Sequence, residues 1–410
     1  LLFIGTEYGI YYSPNKGTNW IKLGAGVPTI PFRDIELHER DNDLVGASFG
    51  RGVFVLDDYS ALREVSKESS TNTLFSIRDA WWYVPNVPMQ AKGNPTAGSL
   101  KFNAPNPPHG ALLTYFITDL PKTTAEKRKE KEKELQKQKA DIPFPGWENL
   151  KLESLEDEPQ FLVLISDENG NALRWLKGAA SKGLHRINWD LRLPAPNPIN
   201  LSQPSFQPPW AGSPEGPMVA PGQYSAQLYL VENGNLKPQG NSQQFQVKPT
   251  PAVKSDINYE ELAAFTQKTA DLSKKVRAVG NKLGEVNNQL KHMEEALLQT
   301  SELNPNLFEQ LKGLKIKSVS LREALYGDAI RSAKDEPTEP HVSSRIGSVM
   351  YGHWNTTQLP TETQKRSIAL AEKELQQVTE MFVKFAADLS SFETALVKAG
   401  APYTPGRKIE

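Results

Sequence analysis

The chain contains no cysteine. That absence excludes disulfides, thiol catalysis and Cys-ligated zinc, and it argues against a eukaryotic secreted protein, where disulfides are expected. No apolar run approaches the roughly 20 residues needed to span a bilayer. A mean hydropathy of −0.51 fits a polar surface instead. An excess of one charge is missing too: 47 basic residues face 48 acidic ones. No global field therefore draws the chain to nucleic acid or to an anionic membrane. A glycine-rich phosphate loop, a G-x-S-x-G elbow and an H-E-x-x-H pair are all absent. The six histidines (His38, His109, His185, His292, His341 and His353) form no i,i+4 helical pair and no zinc-like spacing. No cofactor and no metal site are expected. Leu1-Leu2-Phe3-Ile4 reads as an interior strand rather than a signal peptide.

The clearest positive signal is a repeat. Gly5-Thr6-Glu7-Tyr8-Gly9-Ile10-Tyr11-Tyr12-Ser13 is echoed by Gly46-Ala47-Ser48-Phe49-Gly50-Arg51-Gly52-Val53-Phe54-Val55-Leu56. The spacing from Gly9 to Gly52 is 43 residues, within the roughly 40–50 of one propeller blade. Each copy reads as a strand, a glycine turn and an alternating apolar strand. Two blades cannot close a ring that needs at least about four, so residues 1–90 are expected to be the C-terminal blades of a β-propeller begun upstream. Between the copies, Ser13-Pro14-Asn15-Lys16-Gly17-Thr18-Asn19-Trp20 matches the Asp-box turn S-x-D-x-G-x-x-W, with Asn for Asp. Ser13 and Asn15 supply side-chain oxygens to turn amides, Gly17 supplies positive φ, and Trp20 is expected to bury its ring between strands.

The run from Leu2 to Asp58, including Pro31-Phe32-Arg33-Asp34, Asp41-Asn42-Asp43-Leu44 and Gly50-Arg51-Gly52-Val53-Phe54-Val55-Leu56-Asp57-Asp58, resembles the last blades of the sortilin-like, BNR-repeat propeller proteins. These are large exported bacterial proteins, often from Bacteroidetes, frequently labelled glycosyl hydrolases because sialidases share the Asp box. Family members commonly carry His-Gly-Arg-Gly where this chain has Phe49-Gly50-Arg51-Gly52, so no histidine works at this turn. The resemblance implies export to the periplasm, outer-membrane surface or medium. It also implies three partners: the remaining propeller, another envelope protein, or a glycan. A sialidase-like enzyme needs an arginine cluster and a nucleophile–base pair, and ordinary glycosidases need two carboxylates about 5–9.5 Å apart. Arg33, Asp34, Arg51, Asp57 and Asp58 lie at blade ends, but paired acids at a strand end are commonly turn formers. No catalytic residue is assigned, and Arg33 and Arg51 remain the candidate ligand contacts. The expected function is non-catalytic binding and scaffolding. The alternative is a glycoside hydrolase whose catalytic residues lie in the earlier blades.

Residues 91–252 read as an Ig/FnIII-like β-sandwich. Its strand candidates are Ala111–Thr118, Gln160–Ser166, Ala172–Leu176, Leu184–Trp189, Gln223–Leu230 and Gln243–Val247. A charged helical insertion at 122–141 interleaves Lys and Glu and reads as a solvated helix. The proline-rich stretch from Pro194 to Pro221, with Pro209 among its prolines, is expected to cover a sheet edge. Trp81-Trp82-Tyr83 is placed at the seal between propeller and sandwich. Residues 253–410 carry two heptad seams, Leu262 to Leu297 and Ala371 to Leu396. Each predicts a helix of roughly 55–60 Å, with Thr361 and Gln364 as a capping box and Gly400 as a stop. A shorter helix at Leu307–Leu325 packs between them in an antiparallel helical bundle. Homodimerisation through the seams is the alternative. Met350-Tyr351-Gly352-His353-Trp354-Asn355 reads as an aromatic loop leading into the last helix.

Overall fold

The computed structural model describes residues 1–24, 26–65, 71–85, 106–201, 206, 208, 213–251, 256–301 and 304–407. Strands come first and long helices last. The chain divides into two compact units, one of residues 1–193 and 221–253, the other of 194–220 and 254–410. The first is the β unit and the second the helical unit. The proline-rich stretch falls with the helices, and its Pro209 lies outside the described residues.

The β unit opens with two three-stranded antiparallel sheets built from consecutive strands. The first is β1 (Leu2–Thr6), β2 (Gly9–Ser13) and β3 (Ile21–Lys22). The second is β4 (Phe32–His38), β5 (Asp43–Ser48) and β6 (Val53–Leu56). Alternation of side chains turns Ile10 and Tyr12 of the first sheet and Phe32 and Leu44 of the second into one buried cluster. Phe32 meets Phe54 edge to face at 5.5 Å. The opposite faces carry Leu2 and Ile4 on β1 and Val53 and Val55 on β6, all exposed.

A third sheet runs in the order β12-β9-β7, with β7 (Thr73–Leu74), β9 (Ala111–Ile117) and β12 (Gly183–Trp189). The fourth runs β11-β10-β13-β14-β8, from β8 (Ala80–Trp82), β10 (Gln160–Asp167), β11 (Ala172–Lys177), β13 (Gly222–Glu232) and β14 (Asn235–Pro249). All pairings here are antiparallel except β14 with β8. Trp189 of the third sheet stacks edge to face on Tyr224 and Phe245 of the fourth, at 5.3 and 6.0 Å. Burial against this cluster pushes the Tyr224 hydroxyl up to about 12. The Trp81-Trp82 pair, expected as a seal, is instead a ladder strand bonded to β14. Between β9 and β10 the insertion forms α1 (Thr124–Lys137) and α2 (Trp147–Ser154), neither of which buries a residue. It extends well past the expected end at 141.

In the helical unit, α3 (Tyr259–Leu297) and α7 (Glu362–Lys398) are the long elements, at 39 and 37 residues. Asn258 caps α3 through the Glu261 amide, and Thr361 with Gln364 forms a complete capping box on α7. The seam positions bury together with α4 (Pro305–Tyr326) and α6 (Val342–His353) in one apolar core. The four-residue α5 (Ala329–Ser332) lies between those two.

The long helices do not pair antiparallel, contrary to expectation. Glu261 meets Lys365 at 3.6 Å and Lys268 meets Glu372 at 2.8 Å, so α3 and α7 advance in the same direction. The return path is α4, which meets α3 through Glu294–Lys315 and α7 through Lys317–Asp388. Helix α6 continues that return path. At about 33 and 18 Å for 22 and 12 residues, α4 and α6 placed end to end nearly match one long helix. Met350 to His353, expected as a loop, closes α6. Its seam of Val342, Ile346, Val349 and His353 is buried.

Candidate functional site

The Asp-box turn leads out of β2. The Ser13 hydroxyl accepts from the Gly17 amide at 2.7 Å and donates to Asn15 Oδ1 at 3.1 Å. Asn15 Oδ1 also accepts from the Asn19 amide at 2.9 Å. Gly17 takes φ +92°, as the turn requires. Trp20 departs from expectation. At 42% exposed its ring is not sandwiched between strands, and the turn holds through its own amides.

A dense set of ionisable groups sits where β4 turns into β5 and where β6 ends. Antiparallel pairing of Leu44 with Leu56 puts these points side by side. Asp41 Oδ2 lies 3.3 Å from His38 Nδ1 and 2.8 Å from Arg40 Nη2. Arg78 donates to the Asp41 carbonyl, and its Nη1 stands 4.0 Å from carboxylate oxygens of both Asp41 and Asp43. Asp43 Oδ1 accepts the Asp58 amide at 2.9 Å. Asp58 is buried at φ +46°, and its own carboxylate accepts the Ser60 amide at 3.1 Å. Arg186 reaches in from β12, donating to the carbonyls of Asp57 and Asp58 at 2.6 and 2.5 Å. Burial, and then the neighbouring Asp43 charge, hold the Asp57 carboxyl above its ordinary value, against the pull of Arg186 and Arg78.

This arrangement limits the chemistry. Ligand atoms of His38, Asp41 and Asp43 lie within 4.8 Å of one another, close enough to hold a metal ion. Two guanidinium groups already meet these carboxylates, however, and one Asp43 oxygen is bound to a backbone amide. The set does not fit a resident cation. Nor does it present two free carboxylates to a shared substrate, since Asp43 and Asp58 are engaged in holding turns. It is a polar lock that ties the end of the second sheet to the third.

Of the candidate ligand contacts, Arg33 on β4 pairs with Glu7 at 2.7 Å and stands 5.7 Å from the Phe49 ring centre. Arg51 occupies the exposed turn between β5 and β6. Neither lines the cavity of about 700 Å³ beside the first two sheets, whose wall includes Ile10, Leu44, Phe54, Lys22 and Arg186. Sequence reasoning singled out Asp57 and Asp58 but missed Arg78 and Arg186. Arg186 lies 128 residues from Asp58, and no local pattern announces so distant a partner. His185, on the same strand, is held by the Ser181 carbonyl at 2.6 Å from Nε2.

In the helical unit, His353 is buried at 2% exposure; its ring nitrogens make no hydrogen bond of ordinary geometry, and the Gln358 backbone only partly opposes the effect of burial. It packs edge to face on Phe265 at 5.1 Å, and desolvation holds its pKa below the ordinary histidine value. The neighbouring Trp354 donates to Thr269 Oγ1 at 2.8 Å. Across the described residues, no helix is long and apolar enough to cross a membrane. No family model, no curated protein and no solved structure matches this chain.

Proposed function

We propose that this chain is the non-catalytic binding and scaffolding part of an exported bacterial cell-envelope propeller protein. Its first two sheets act as blades, the third and fourth form an Ig-like sandwich, and the long helices form a bundle. The carrying observation is the pair of uncovered apolar faces. Each of the first two sheets buries one face against the other and exposes Leu2 and Ile4, or Val53 and Val55, on the opposite side, Val53 to 63%. On the second sheet these valines form an apolar stripe beside Asp34 and Glu36 of the edge strand β4. A sheet with apolar side chains on both faces belongs between two others, and the packing of the first sheet on the second is the template for those further contacts. The echoed motifs fall on β1–β2 and on β5–β6. Aligning them places β4 before β1 and β3 after β6, a four-stranded unit like a propeller blade.

A binding role suits this arrangement better than catalysis, because Asp43, Asp58 and Arg186 at the strand ends are engaged with turn amides and carbonyls. The partners are further blades of the same kind, then an envelope protein or a glycan. Hydrogen exchange on the protein isolated from its native cells tests the reading. Amides of Leu2–Thr6 and Val53–Leu56 should be protected there and exchange faster in this chain alone. Equal exchange in both would overturn the blade assignment. Recovery solely from the cytoplasmic fraction would overturn export, and glycoside turnover abolished by Asp57→Asn would overturn the non-catalytic role.

A further inference from the structure

The insertion between β9 and β10 is a helical arm whose large apolar side chains are nearly all turned outward. Ile142, Phe144, Trp147, Leu152 and Leu155 are each about half or more exposed, Trp147 to 78% and Leu155 to 72%. A loose loop could scatter such residues without meaning, but this arm is fixed. Arg128 on α1 bridges Glu132 at 2.6 Å and Glu153 on α2 at 2.8 Å. The Glu156 carboxylate accepts the Thr124 amide at 2.7 Å, and Thr123 with Glu126 completes a capping box. Phe144 and Trp147 stand edge to face at 5.0 Å, so the tip presents a preformed aromatic pair. Rigid, exposed Trp, Phe and Leu side chains are the residues that anchor interfaces.

The charges on the arm indicate what covers it. Lys127, Lys129, Lys131, Lys133, Lys137 and Lys139 make no ion pair among the described residues, and neither do Asp141, Glu148, Asp157 and Glu158. Along α1 the free lysines outnumber free acids such as Glu134, and on and just after α2 the free acids Glu148, Asp157 and Glu158 outnumber Lys151. Such a surface complements itself. We propose that the arm is a self-association device, two copies of this chain pairing about a twofold axis. The Phe144–Trp147 clusters pack together and the α1 lysines of each face the α2 acids of the other. At about 150–250 Å² for a large aromatic side chain, the exposed side chains supply on the order of 600 Å² per copy. Doubled, that reaches the lower end of a specific interface. An anionic membrane is the poorer fit, because Asp141, Glu148, Asp157 and Glu158 lie close in sequence to the apolar side chains and would be repelled by it.

Sedimentation velocity on the full chain over a concentration series tests this. Wild type should show a monomer–dimer equilibrium that weakens as salt rises from about 0.05 to about 0.5 M, as charge pairing requires. Trp147→Glu should raise the dimer dissociation constant about 30-fold or more. Lys129→Glu with Lys133→Glu should raise it by a smaller factor. Because neither helix buries a residue, these variants should keep the wild-type melting temperature, so a lost dimer cannot be blamed on unfolding. A wild type monomeric at every concentration overturns the proposal. So does a dimer indifferent to Trp147→Glu, or one broken by Phe308→Glu on α4 instead. Co-flotation of a monomeric wild type with phosphatidylglycerol vesicles, lost in Trp147→Glu, would assign the arm to a membrane surface and likewise overturn it.

Discussion

In the β unit, buried apolar faces are supplemented by single polar residues and close backbone approaches that tie distant parts of the chain together. In the helical unit a repeating apolar seam does that work. Arg186 holds two carbonyls 128 and 129 residues away, and Asn72 joins segments 46 to 167 residues apart. The helices instead share one core to which the seam residues from Leu272 to Leu297 and from Ala371 to Leu396 contribute together. The β unit should therefore fail at points, whereas the helical unit should absorb most single changes.

The largest effect should come from Gly110→Ala. A Cβ there would lie 1.9 Å from the Trp189 carbonyl oxygen, and Gly110 holds φ +119°, which side-chain-bearing residues avoid. Neither backbone can give way without breaking the β9–β12 ladder. A loss of about 4 kcal/mol or more is expected in urea titrations, read by hydrogen exchange of Ala111–Ile117. Next is Asn72→Ala. The Asn72 side chain accepts from the amides of Thr118 and Asp119 at 2.9 and 3.1 Å. It donates to the Asp119 carbonyl and to Gln239 Oε1, both at 3.1 Å. Removing it takes four hydrogen bonds from part-buried groups at once, at a cost of about 1–2 kcal/mol. Indifference to either change would erase the contrast between the units.

The helical unit has a polar weakness at His353, and it responds to pH. His353 is held neutral by burial, so its folded pKa lies below the ordinary value of about 6.5. Below about pH 6.5 the unfolded chain takes up a proton that the folded chain refuses. Stability is thus fully present above that pH and falls as pH drops toward the folded pKa, by about 1.4 kcal/mol per pH unit in that window. His353→Phe should flatten the dependence in melts followed between pH 7.5 and about 5. An unchanged slope would mean that another group carries it.

How legible this was in the sequence follows the same division. Strands with clean alternation were found close to their true ends, as with Ala111–Thr118 against β9 and Gln160–Ser166 against β10. The eight residues of β14 ahead of Gln243 were missed. They are polar and mostly exposed, and they join the ladder through the Asn233-Gly234 turn rather than by burial. Both long helices were visible because a seam of one period runs through each, but direction is not encoded in a seam. The parallel course of α3 and α7 depends on α4 and α6 sharing the return path. Helix α6 hid behind Gly347 and Gly352, although its seam of Val342, Ile346, Val349 and His353 was there to be read. At the polar lock, the acids at the end of β6 were legible as turn formers, while Arg78, from the β7–β8 connection, and Arg186, from β12, come from parts of the chain that no local pattern links to them.

The smallest expected effect gives the sharpest form of the contrast. Gly280 lies within α3, and a Cβ there would stand 1.8 Å from Tyr326 Oη, nominally as bad as the contact at Gly110. What it meets is different. The Tyr326 hydroxyl is the far end of a half-exposed side chain at the end of α4, free to swing outward at little cost, and Gly280 has ordinary helical backbone. Alanine also favours the helix over glycine by about 1 kcal/mol, which offsets the lost packing of the ring. Gly280→Ala should therefore change stability by less than about 1 kcal/mol in either direction. Its mark should be a more solvent-exposed Tyr326, measured by the ring's accessibility to nitration or by its fluorescence. A loss as large as that of Gly110→Ala would mean that the Tyr326 ring is as rigid a partner as a backbone carbonyl. The helical unit would then share the point-like fragility assigned here to the β unit alone.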